Sequence, residues 1–182
     1  MKNLLKTFFL VLVLAVCGST VLAQGFPWQD FKLRTLKDLA AMEKDVEQRR
    51  NTDGKPAVVF HGDMLLTRAR VVYTGSTRPI SDLKKQFLAQ WVEMYAGGNK
   101  EAYAKLYETD MLFTENGVDY WLPVQKKVIP YFDIELKKGD EVDLYIVRAG
   151  GIYDTKKDKD KWDWLLFVEE FQKPKEEKTN SK

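Results

Sequence analysis

The residues able to do covalent or metal chemistry are few in this 182-residue chain, and their spacing joins no familiar constellation. His61 is the one histidine and Cys17 the one cysteine. A Ser/His/Asp arrangement needs His61 beside a serine, and beyond the leader the serines are Ser76, Ser81 and Ser181. Thr74-Gly75-Ser76-Thr77 lacks the turn motif that exposes a nucleophile, and Ser81 reads as a helix cap. A zinc site would have a single imidazole and no thiolate, well short of the usual ligand set. Asp154, Asp158, Asp160 and Asp163 approach a calcium loop in composition. Lys156, Lys157, Lys159 and Lys161 interleave them, however, and no glycine supplies the sharp turn. The 27 acids offer many carboxylate pairs for glycoside cleavage, but no spacing singles one out. No catalytic residue, metal ligand or cofactor is assigned.

What remains is an aromatic set, Tyr120, Trp121, Tyr131, Tyr145, Trp162 and Trp164, with Arg148 and Lys137 close in sequence. An aromatic face beside a cation can stack a sugar or cradle a peptide. Burial is the default for large aromatics. Trp121 is the one expected outside, because it falls on the strand face opposite Val118, Tyr120 and Leu122. The candidate ligand-binding residues are Trp121, Tyr145 and Arg148, for a saccharide, a peptide or a small molecule.

The elements that must position them follow a basic, apolar leader. Lys2 and Lys6 precede Phe8–Val16, and Val21-Leu22-Ala23 ends the segment as a signal peptidase site would. The apolar run is too short to span a bilayer. Residues 1–23 therefore read as a secretory signal, which places the protein in the periplasm or outside the cell. The alternative is a lipoprotein at Cys17, with Val16 where a small residue is usual. The formal charge of +2 resides in Lys2 and Lys6, and without them 27 bases face 27 acids. That balance excludes a basic field for nucleic acid. The mature chain has no cysteine, so its core alone must hold it, which about 150 residues can do.

Residues 24–55 are expected to form an amphipathic helix, Trp28–Arg50, and a polar turn. The stripe Trp28, Phe31, Thr35, Leu39, Met42 and Val46 steps by three or four, packing on the domain or engaging a protein partner. Residues 56–172 read as a single α+β domain, and residues 173–182 as a disordered charged tail. Ala57–Phe60 and Met64–Thr74 read as strands around a turn at His61-Gly62-Asp63, with Gly75–Pro79 a loop. Leu83, Phe87, Trp91 and Tyr95 mark the buried stripe of a helix capped by Ser81, and Lys100–Glu108 a shorter helix. Asn116-Gly117 predicts a hairpin between Met111–Glu115 and Val118–Val124, with Pro123 at its end or on an edge. Pro130 starts a helix to Lys138, with Gly139 after it. In the last two strands Val142, Leu144 and Ile146 oppose Tyr145 and Val147. Likewise Trp162, Trp164, Leu166 and Val168 oppose Leu165, Phe167 and Phe171, so both faces are covered.

The order long strand, strand, strand, helix, strand, strand, from Met64 to Phe171, resembles an oligonucleotide/oligosaccharide-binding (OB) barrel. That resemblance implies a small antiparallel barrel-like sheet of five to six strands, with three helices plus the N-terminal one. A large insertion, Ser81–Glu108, departs from it. Phe87–Gly117 (FLAQWVEMYAGGNKEAYAKLYETDMLFTENG) resembles the opening of a nuclear-transport-factor-like α+β cone. In such a cone the resemblance implies an apolar pocket served by a carboxylate such as Asp110 or Glu115. The leading expectation is a non-catalytic exported binding or accessory module. The cone-type pocket protein and an envelope interaction factor acting through Trp28–Arg50 are the alternatives.

Overall fold

The computed structural model describes residues 25–48, 57–96, 105–153 and 162–174. The leader with Cys17, the turn after residue 48, most of the expected helix over 100–108, the 154–161 loop and the end of the tail lie outside these residues. Residues up to Asp30 form one compact unit, of which a 3-10 turn at Trp28–Asp30 is described; the chain from Phe31 forms the other.

The second unit is α+β. Its elements are β1 (Lys32–Leu33), α1 (Leu36–Gln48), β2 (Ala57–Pro79), α2 (Asp82–Trp91), β3 (Thr109–Glu115), β4 (Val118–Val124), α3 (Ile129–Glu135), β5 (Glu141–Tyr153) and β6 (Trp162–Gln172). The six strands lie in the order β1-β2-β3-β4-β6-β5, and β2 also pairs with β5, so the sheet closes partly into a ring. It is mixed rather than antiparallel: β1 runs parallel to β2, and β4 parallel to β6. The second parallel pair follows from the crossover through α3 and β5 that separates its strands in sequence.

Glycine turn signals misplace the first strand. In place of a turn at His61-Gly62-Asp63, β2 runs on, absorbs the extra residues as an irregularity between Phe60 and Leu65, and keeps β5 as partner on both sides. In place of a loop at Gly75–Pro79, a second irregularity lies between Tyr73 and Thr77 opposite β3, with Gly75 at φ 72°. Gly75 serves this bulge as it would a turn, but the partner strand continues past it. The Asn116-Gly117 hairpin forms as expected, with φ of 52° and 80° at its two positions.

Two helices differ in extent from the expected ones, and a third in its buried face. The N-terminal helix starts at Leu36, not Trp28, because Lys32 and Leu33 pair with Thr67 and Arg68 of β2. Thr35 Oγ1 then accepts from Asp38 N at 2.9 Å as an N-cap. Ser81 caps α2, accepting from Lys84 N at 3.1 Å, but the buried face is Lys84, Leu88 and Trp91. Of the expected stripe Trp91 is on that face, while Leu83 and Phe87, one residue to the side of Lys84 and Leu88, are partly buried. α3 stops at Glu135 rather than Lys138, since Asp140 folds back to take the Lys137 amide at 2.9 Å.

Two apolar clusters result among the described residues. All five ring strands line the inner one, through residues such as Val71, Phe113, Leu122, Leu144 and Val168, and α1 and α3 cover it with Leu36, Leu39 and Phe132. The outer one packs Leu88, Trp91 and Tyr107 against Ala149, Ile152, Leu165 and Phe167. β6 is thus apolar on both faces, as expected. Phe171 nevertheless joins the inner cluster, stacked on Phe132 at 4.1 Å, and not the face of Leu165 and Phe167. A bulge at Tyr145/Ile146 resets the alternation before it.

Candidate functional site

β4 and β6 are neighbours in the ring but share one ladder pair, Val124↔Val168, extended by Gln125 N donating to Val168 O at 3.0 Å. Nearer the start of both strands, side chains bridge the seam. Lys84, from the buried face of α2, has no exposed surface, and neither has Asp110 of β3. Lys84 Nζ lies 2.9 Å from Asp110 Oδ1, 3.1 Å from Oδ2 and 2.7 Å from Asp163 Oδ1 at the start of β6. Trp121 O of β4 stands 3.5 Å from the same nitrogen, at the outer limit of a hydrogen bond.

Arg78 completes the cluster from the end of β2. It is the ladder partner of Asp110 and donates to its Oδ2 from Nε and Nη2, both at 3.1 Å. Its guanidinium lies 4.3 Å from the Trp121 ring centroid, a cation–π contact. The Arg78 side chain is 44% exposed and that of Asp163 31%, so this rim of the cluster faces solvent. Two cations and two carboxylates balance, which is what burial of Lys84 requires. Chemically, the rim offers a fixed planar cation lying over an indole ring.

Two other carboxylates hold elements together. Glu115 accepts the amides of Leu36 and Lys37 at 2.8 and 3.0 Å, an anion on the N-terminus of α1. Glu169 of β6 accepts from the Tyr107 hydroxyl and from Gln125 Nε2, the latter at 2.8 Å. Burial pushes the Glu169 carboxyl up from the ordinary value, against the pull of Tyr107 and Lys127.

The structure does not bring the three sequence candidates together as one surface. Trp121 is half-buried beneath Arg78. Tyr145 is buried, edge-on to Phe31 at 5.3 Å, with its hydroxyl on Gln172 Oε1 at 3.0 Å. Arg148 is buried with Nη1 3.2 Å from Met42 Sδ of α1. Asp110 and Glu115, the carboxylates of the cone reading, both accept from donors of the fold. Lys84, Arg78 and Asp163 were not among the sequence candidates. The available signal was Lys84 itself, a lysine in step with Leu88 and Trp91 on the helix face that the core takes.

Among the described residues no three His, Cys, Asp or Glu side chains group as a metal site, and no helix is long and apolar enough to cross a membrane. No protein-family model matches the chain, and no curated protein sequence matches it significantly.

Proposed function

We propose that the chain is a non-catalytic binding module on an OB-like closed sheet, exported through its leader, whose ligand docks against Arg78 and Trp121. The observation that carries this is the Arg78–Trp121 stack at 4.3 Å, locked from beneath by the buried Asp110. A partly exposed guanidinium held in one orientation has little side-chain freedom left to lose on binding. The ring order β2-β3-β4-β6-β5, with α3 between β4 and β5 in the chain, supports the OB-like reading. In that architecture the second and third ring strands form the ligand face, and here they carry Asp110 and Trp121. The ligand best suited is a saccharide with an acidic or hydroxyl-rich edge, which accepts from the outer N–H groups of Arg78 while its ring lies on the indole edge.

The cone reading has less support, because Asp110 and Glu115 are each engaged by two donors of the fold. The test is calorimetric titration of acidic and neutral oligosaccharides into the wild type, Trp121→Ala and Arg78→Gln. An acidic saccharide should bind the wild type and lose at least tenfold in affinity in each folded variant. No saccharide binding by the wild type, or wild-type affinity in either folded variant, overturns the proposal.

A further inference from the structure

The far end of the same seam holds a buried polar group with an unused acceptor. Gln125 follows β4 directly and is 8% exposed. Its Nε2 donates to Glu169 Oε2 at 2.8 Å, while its Oε1 is buried without a partner among the described residues. Such an atom costs free energy unless another state of the site uses it. Glu169 is also the residue that the β5 ladder skips, between the pairs Tyr145↔Glu170 and Ile146↔Val168. Its carboxylate is held by two side chains, with Tyr107 on the other oxygen.

We propose that Tyr107, Glu169 and Gln125 form a proton-responsive latch on the β4–β6 seam, in which protonated Glu169 donates its O–H to Gln125 Oε1. The proton comes from solvent and forms one O–H bond on Glu169 Oε2. The Gln125 amide turns over, its Nε2 contact is given up and the unpartnered oxygen becomes the acceptor. Tyr107 continues to donate to Oε1 of Glu169. Among the described residues the charged groups facing Glu169 are Lys127 from the turn after β4 and its neighbour Glu170 on β6; Lys126 in that turn is tied to Glu108 at 3.0 Å, and Tyr145 on β5 is bonded to Gln172. Burial favours the neutral acid, so the latch closes as pH falls through a midpoint above the ordinary 4.5. Because Gln125 N also donates to Val168 O, the latch acts on the single ladder contact that joins β4 to β6.

Carbon-13 titration of the Glu169 carboxyl, with nitrogen-15 detection of the Gln125 side-chain amide in the full chain, tests this. The Glu169 midpoint should lie above 4.5, and the Gln125 amide signals should move in the same step. Tyr107→Phe, which removes a donor to the carboxylate, should move both midpoints upward together, and Glu169→Gln should abolish the step at Gln125. A midpoint at or below 4.5, a Gln125 amide that does not move with Glu169, or a Tyr107→Phe midpoint that stays or falls overturns the latch.

Discussion

Glu115 Oε1 lies 2.8 Å from the backbone amide of Leu36, 79 residues earlier in the chain. Its second oxygen takes the Lys37 amide at 3.0 Å, so the β3–β4 hairpin supplies the anion at the start of α1. Glu115→Gln keeps an acceptor and removes the charge. It is expected to cost about 1 kcal/mol, and Glu115→Ala about 2 kcal/mol. Hydrogen exchange at the Leu36 and Lys37 amides should quicken more than exchange in β5. Uniform quickening would mean that the carboxylate acts on the whole sheet and not on the helix start.

Lys84 makes a second prediction, with the sign set by burial. Removing one partner of a buried ion pair strands the other, at about 3–5 kcal/mol. Arg78 still holds Asp110 Oδ2, so Lys84→Met should fall at the low end, about 3 kcal/mol, in urea unfolding. Adding Asp110→Asn to Lys84→Met removes the stranded charge and should recover part of that loss. If the double variant is less stable than Lys84→Met by the full cost of Asp110→Asn alone, the two residues are not coupled.

Gly75 tests the second irregularity of β2. Its φ is 72°, and a Cβ there would come within 2.6 Å of Lys138 Cε. The lysine can swing aside, but the backbone conformation remains unfavourable for any other residue. Gly75→Ala should cost about 1 kcal/mol in thermal unfolding. A neutral or stabilising result would mean that this stretch leaves the left-handed region easily and is not pinned between β3 and the 137–140 turn.

The parts of the fold legible in the sequence are those set by local rules. The Asn116-Gly117 turn, the Ser81 cap and the doubly apolar β6 follow from φ preference, side-chain acceptors and alternation. What was not legible depends on partners distant in sequence. Gly62 and Gly75 carry the same signal whether the chain turns or bulges, and only β5 and β3 running past them decides. The reassignment of Phe171 comes from a bulge that no side chain announces. Trp121 could be placed on the outer face of its strand by alternation, but the cation over it comes from Arg78, 43 positions earlier in numbering. Lys84 was visible as a charge within an apolar stripe; Asp110 and Asp163, which make its burial tolerable, lie on separate strands.

Tyr73 gives a prediction at alkaline pH. Its ring packs against Phe113 and Phe132 in the inner cluster, and its hydroxyl donates to Asp133 Oδ1 of α3 at 2.7 Å. Burial, then the hydrogen bond to Asp133 and its negative charge, push the phenol up from 10.0 to about 12. The unfolded chain therefore releases this proton first as pH rises. The stability contributed by neutral Tyr73 is complete below pH 10.0 and is lost progressively toward about 12. Tyr73→Phe should cost about 1 kcal/mol at neutral pH through the lost bond to Asp133. Above pH 10.0 the variant should lose less stability per pH unit than the wild type, so the two unfolding curves converge and then cross before about pH 12. Urea midpoints measured from pH 7 to 12, beside absorbance of the ionised phenols, check both halves. Parallel curves across that range would mean that Tyr73 ionises as readily in the folded protein as in the unfolded chain, and that its packing against Phe113 and Phe132 does not exclude water from its hydroxyl.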